Sequence, residues 1–220
     1  MKHESNFFLI AFYVAVLVLT VNTHGSYLFS DDLGWPRWRG PNGDGISQET
    51  DWNPEALNGE PKVLWKADIG KGHSNVVFRG NHLYTMTRKH TGGSIICLNA
   101  ETGKEQWRYT YDNASDVQAT PVIDGKFVYA LSGRGTVFCL NAQNGKLRWQ
   151  KDLVQEYSVV QPSYYFAGSP VIEGDLLLLT AKTSGIALDK KTGEWFGPAR
   201  NRPLISRPGP HPVVPTIPPR

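Results

Sequence analysis

The sequence predicts an all-β fold, a partial β-propeller of about three four-stranded antiparallel blades, and three observations predict it. Trp65, Trp107 and Trp149 lie 42 residues apart. The last two close copies of one run, from Cys97-Leu98-Asn99-Ala100 through Gly103-Lys104 and from Cys139-Leu140-Asn141-Ala142 through Gly145-Lys146. The intervening residues show no helical periodicity. A repeat of this length means stacked units that cannot bury their apolar faces alone, and four short strands per unit is the size of one propeller blade.

Residues 1–25 read as a signal peptide or anchor. Phe7 to Val21 is an apolar run of 15 residues preceded by Lys2, shorter than the roughly 20 a membrane span needs. Val21-Asn22-Thr23-His24-Gly25-Ser26 fits the small-x-small cleavage rule poorly, so an uncleaved anchor through residues 7–21 stands as the alternative. No cysteine near Val21 supports a lipid anchor, and two cysteines in the chain give no disulfide framework. Residues 26–60 form an extended N-terminal strap. Within it Asn42-Gly43-Asp44-Gly45 offers two oxygen side chains, too few for calcium, and reads as a glycine-rich turn.

Residues 61–194 carry the repeats. Trp65 ends a leading strand that looks like the piece completing the last blade of a closed ring. In the second unit the strands are Ala119–Ile123, Phe127–Leu131, Thr136–Asn141 and Lys146–Leu153, joined at Asp124-Gly125, Gly133-Arg134-Gly135 and Asn144-Gly145. Asp-Gly and Asn-Gly favour tight antiparallel turns, and β-branched and aromatic residues fill the strands. Each tryptophan suits the wedge between blades. Gly103, Gly145 and Gly193 make the turn into the last strand, where positive φ costs least in glycine. Leu98, Leu140 and Leu188 recur, and Cys97 and Cys139 read as small buried residues too far apart to bridge. A third unit starts at Ser169-Pro170-Val171, and the glycine spacing stretches from 42 to 48. The extra length falls in the tyrosine-rich loop 154–166, read as an inter-blade strap, with a binding face as the alternative.

Residues 195–220 break the pattern. Position 197 holds glycine where the repeat requires tryptophan, and eight of the fifteen prolines lie in these 26 residues. Such a segment cannot donate ladder hydrogen bonds, so it reads as an irregular tail. The break falls inside a repeat, which favours a frameshift or truncation over a genuine proline-rich interaction tail. The tail also explains the charge. It holds four arginines and no acid against a net +3, so the blades are near neutral and nucleic acid is excluded as a partner.

Chemistry-bearing clusters are sparse. The six histidines show no metal-ligand spacing, and Asp68, Asp116, Asp124 and Asp152 form no oxygen cluster. No metal or catalytic residue is assigned. Asn113-Ala114-Ser115 is a glycosylation sequon, and no phosphate loop or nucleophile elbow occurs. Inner strands begin towards the central channel, which makes His73, Ser74, Gln118, Thr120 and Ser169 the candidate lining residues. Ordinary solvated channel positions are the competing reading.

The repeat resembles that of the pyrroloquinoline-quinone (PQQ)-like propellers, whose signature runs leucine-aspartate-x-x-threonine-glycine-lysine-x-x-tryptophan. Trp35-Pro36-Arg37-Trp38-Arg39-Gly40-Pro41 resembles the opening of exported bacterial members. The resemblance covers residues 61–194 and is fullest in two units. It implies a closed ring of seven or eight blades, export to the periplasm or cell envelope, and relatives among quinoprotein alcohol dehydrogenases and BamB-type assembly lipoproteins. A quinoprotein would need PQQ with calcium and adjacent cysteines, and the only two here are 42 apart. The expected function is therefore an exported, non-catalytic binding or scaffold propeller with no cofactor of its own, its partner a protein or envelope component. A quinoprotein remnant and a membrane-anchored module using the tail are the alternatives. Open blade edges are expected to self-associate.

Overall fold

The computed structural model describes residues 34–196 except 51–52, 61, 91, 113–116 and 182–183. The signal segment, the sequon and residues 197–220 of the tail lie outside the described residues. Among the described residues the architecture is all-β, apart from one 3-10 turn at Pro54–Leu57, and the propeller is not closed. The twelve strands are β1 (Gly34–Trp35), β2 (Val77–Arg79), β3 (His82–Lys89), β4 (Gly92–Asn99), β5 (Glu105–Tyr111), β6 (Val122–Asp124), β7 (Phe127–Leu131), β8 (Thr136–Asn141), β9 (Leu147–Asp152), β10 (Val171–Glu173), β11 (Leu176–Ala181) and β12 (Ser184–Asp189). They form three antiparallel meanders. Blade 1 is β2 to β5, blade 2 is β6 to β9, and blade 3 is β10 to β12.

Blade 2 matches the sequence reading closely, with β7 and β8 at the expected residues. Blade 1 gains a strand from the strap: Trp35 pairs with Phe78 in β2. The Ile123 N–H in blade 2 then donates to the Pro36 carbonyl at 2.8 Å. The strap thus ties two inner strands together, which the sequence did not signal. Residues 62–70 are not a strand, because no neighbour supplies a ladder.

Alternation along each strand sends one set of side chains forward and the other back, so every blade has two apolar faces. Val77, Tyr84, Met86 and Ile95 of blade 1 close against Val128, Phe138 and Leu140 of blade 2. Val122, Tyr129, Leu131 and Val137 of blade 2 close against Leu177, Leu179, Ile186 and Leu188 of blade 3. Blade 2 is buried on both sides. The forward face of blade 3 is thinner and partly exposed at Val171, Leu178, Thr180, Gly185 and Ala187. Its fourth strand begins at Trp195, which bridges Leu188, and the Phe196 N–H donates to the Ala187 carbonyl at 2.7 Å.

Candidate functional site

The repeat residues build the blade-to-blade joint. Trp107 Nε1 donates to the Ala142 carbonyl of the next blade at 2.8 Å, and Trp149 Nε1 donates to the Lys190 carbonyl at 3.2 Å. Trp65 does the same to Ala100 at 2.9 Å without belonging to a strand. Each indole lies over the turn glycine of the blade that it meets. A Cβ on Gly103, Gly145 or Gly193 would fall 2.4, 2.6 or 2.8 Å from the ring of Trp65, Trp107 or Trp149. All three glycines have positive φ, at 67°, 68° and 74°. The glycine is therefore required twice, by its backbone and by the indole, and only the first reason was legible in the sequence.

A bulge aims the tryptophan. Cys97 faces Trp107 while Leu98 faces Glu105, and Cys139 faces Trp149 while Leu140 faces Leu147. One extra residue in each fourth strand re-aims the side chain that follows. The turn itself is held by Asn99, Asn141 and Asp189. The Oδ1 of Asn99 accepts from the Glu101 and Thr102 N–H groups, and Asp189 repeats this with Lys191 and Thr192.

The candidate channel residues sit where the inner strands begin, which defines the upper end of the molecule. Thr120 Oγ1 accepts the Asn75 N–H of blade 1 at 3.2 Å, and Ser169 Oγ accepts the Thr120 N–H at 2.9 Å. These are equivalent positions on successive blades, so the two hydroxyls link inner strands across both joints. The Ser74 hydroxyl accepts the Met86 N–H and the Thr85 Oγ1–H, tying the entry of blade 1 to β3. The His73 N–H donates to the Val117 carbonyl, and the exposed ring is not part of that contact. Gln118 is partly buried beside Thr120. The five residues form a row at the upper end, and Ser74, Thr120 and Ser169 already use their oxygens on backbone N–H groups.

This row does not fit a calcium-bound quinone. Calcium takes 6–8 oxygen ligands rich in carboxylate, and the row contains no carboxylate. Among the described residues no group of three or more His, Cys, Asp or Glu lies together. Cys97 and Cys139 are free and buried in separate blades, each facing its own tyrosine, Tyr84 or Tyr129.

The tyrosine-rich loop is anchored at both ends on the β7–β8 turn. The Leu153 N–H donates to the Gly135 carbonyl, and the Phe166 N–H donates to Gly133. Phe166 is buried against Gly135, and the Tyr157 hydroxyl donates to the Gly193 carbonyl at 2.9 Å. Between these anchors Tyr164 is 85% exposed, and the Arg134 guanidinium stands over the Tyr165 ring at 5.8 Å. The loop is a strap that also presents a bare aromatic at the upper end. In the strap Trp38 is exposed beside Arg39. No helix among the described residues is long and apolar enough to cross a membrane.

The sequence model of the family described as outer membrane protein assembly factor BamB matches residues 55–195. No curated protein matches the chain. Solved structures similar to it include BamB from Moraxella catarrhalis, 26% identical over 53% of this chain and 32% of that one, with a TM-score of 0.40. A europium-containing methanol dehydrogenase is 15% identical over 76% of this chain and 32% of its own, at a TM-score of 0.61. The quinohemoprotein alcohol dehydrogenase from Comamonas testosteroni is 16% identical over 80% and 29%, at 0.59. The chain thus spans about a third of the length of each of these structures, and the two dehydrogenases share its fold.

Proposed function

The chain belongs to the PQQ-like propeller family described as outer membrane protein assembly factor BamB, and from that membership we propose that it is an exported, non-catalytic propeller that binds a protein partner in the cell envelope. The observation that carries this reading is the anchored loop 154–166. Tyr164 projects from a loop fixed at Leu153 and Phe166, next to the Arg134–Tyr165 pair. Exposed tyrosine and arginine on a rigid support are the residue types that dominate protein interfaces. Two further points support it. The hydroxyls best placed to receive a small ligand are engaged in the joints, and the upper row supplies no carboxylate for a metal. Periplasmic residence after export through residues 1–25 belongs to the same proposal, as does the absence of a bound quinone.

A photo-crosslinking amino acid placed at Tyr164 in the full chain, expressed in a Gram-negative host, tests the reading. The expected result is a discrete protein adduct at Tyr164 that is absent when the probe sits at the exposed turn residue Gln143. Equal labelling at both positions, or none, refutes it. Saturable, calcium-dependent quenching of tryptophan fluorescence by PQQ would replace it with the quinoprotein reading.

A further inference from the structure

We propose that Arg134 is the residue that selects the partner, and that it takes a carboxylate: an aspartate or glutamate side chain on an acidic segment of the protein partner. The inference rests on the protein-binding reading of loop 154–166 and names the chemistry that the partner brings to it. Arg134 is exposed on the β7–β8 turn between two buried glycines. The turn beneath it is fixed by backbone contacts. The Gly135 N–H donates to the Ser132 carbonyl at 3.0 Å, and the Thr136 N–H donates to the Ser132 hydroxyl at 2.9 Å. The Gly133 and Gly135 carbonyls accept from Phe166 and Leu153, and the Phe166 ring fills the space that a Gly135 side chain would need. The ring facing the guanidinium is held against its backbone preference. Tyr165 has φ 65°, a left-handed conformation rare for a bulky residue, and its N–H donates to the Pro162 carbonyl at 3.1 Å. Strain of this kind gathers at binding sites. Here it sets the phenol ring 5.8 Å from the Arg134 guanidinium, which is oriented before any partner arrives.

Charge decides the occupant. The carboxylates of the strap are already matched. Asp152 Oδ1 accepts the Val154 and Gln155 N–H groups. Glu156 accepts the Asp152 N–H and pairs with Lys151 at 3.3 Å. Arg134 forms no ion pair among the described residues. Between Asp152 and Pro170 the chain carries no lysine or arginine, so the guanidinium stands over the loop as a single cation. Phosphate-rich surfaces, whether nucleic acid or lipid bilayer, are held by clusters of cations. A lone planar fork suits one carboxylate, gripped by two parallel hydrogen bonds. The loop's exposed Tyr164 and Val160 supply the apolar contact that shields such a pair from water.

The full chain with p-benzoylphenylalanine as the aromatic at position 164, expressed in a Gram-negative host, is the probe. Arg134→Gln is expected to lower the yield of the protein adduct about tenfold, and Arg134→Glu to remove it. Arg148→Glu makes the same charge change at an exposed site on β9 and is expected to leave the adduct intact. The partner peptide in the adduct, read by mass spectrometry, is expected to hold an acidic residue close to the cross-link. Changing that acid to arginine is expected to restore the adduct to the Arg134→Glu chain, which also shows that this variant folds. An adduct unchanged by Arg134→Glu, lost equally in Arg148→Glu, or not restored by the swap would overturn this inference and leave the protein-binding reading standing. No adduct in the Arg134 chain, or a lipid adduct in place of a protein one, would overturn both.

Discussion

At the scale of single residues the repeat is a set of matched roles. Tyr84 and Tyr129 face Cys97 and Cys139 across the strand pair, and their rings lie 5.9 and 6.0 Å from Trp107 and Trp149. Burial pushes both thiols up from an ordinary 9.0 to about 12, with the neighbouring tyrosine hydroxyls drawing them partly back. Burial raises both tyrosines as well. The folded state therefore keeps its thiol protons while the unfolded chain releases them from about pH 9 upward. The unfolded state then binds fewer protons, so stability falls as the pH rises from about 9 towards 12. The urea midpoint is expected to drop steeply between pH 8 and 10.5. The Cys97→Ala/Cys139→Ala double variant should show a shallower drop, since Ala187 already fills the equivalent place in blade 3. Equal slopes in the two proteins would show that the thiols are not the source. The sequence placed both cysteines correctly as small and buried, because their offset within the repeat is unambiguous. It gave no sign of the tyrosine opposite, since cross-strand register is not written in either strand alone.

At the scale of the element the informative unit is the turn between the third and fourth strands. Its asparagine or aspartate cap, its glycine and the indole of the preceding blade act as one device. Gly145 and Gly125 separate its two demands. Both have positive φ, but a Cβ on Gly145 would enter the Trp107 ring while one on Gly125 meets nothing within 4 Å. Gly125→Ala should cost only the left-handed backbone term, about 1–2 kcal/mol. Gly145→Ala adds displacement of the indole and its bond to Ala142, for a total of about 3–4 kcal/mol. Urea unfolding of the two variants checks this, and equal losses would mean that the indole yields freely. The glycines, tryptophans and strand limits were legible because turn chemistry and period are local signals. The bulge that skips Gln106 and Arg148 was not, because one extra residue leaves the pattern of apolar positions almost unchanged. The candidate row at His73, Ser74, Gln118, Thr120 and Ser169 lies where the inner strands begin. That Thr120 and Ser169 would link successive blades depended on spacing between blades, which no single repeat encodes.

At the scale of the whole molecule the three blades behave as a short one-dimensional array, in which each unit is stabilised by its neighbours. Blade 2 has neighbours on both faces: Val128, Phe138 and Leu140 belong to one core cluster, and Tyr129 and Leu131 to the other. Among the described residues blade 3 has one neighbour, three strands with the start of a fourth at Trp195, and a forward face of Val171, Thr180 and Gly185 where blade 2 offers Val122, Leu131 and Val137. Local opening free energy follows buried apolar contact and ladder completeness. Hydrogen exchange on the dilute chain is therefore expected to run slowest in β7 and β8 and at least tenfold faster in β11 and β12. Protection in β12 equal to that of β8 at the lowest concentration would mean that blade 3 is stable without a further neighbour, and the nearest-neighbour account of this array would fail.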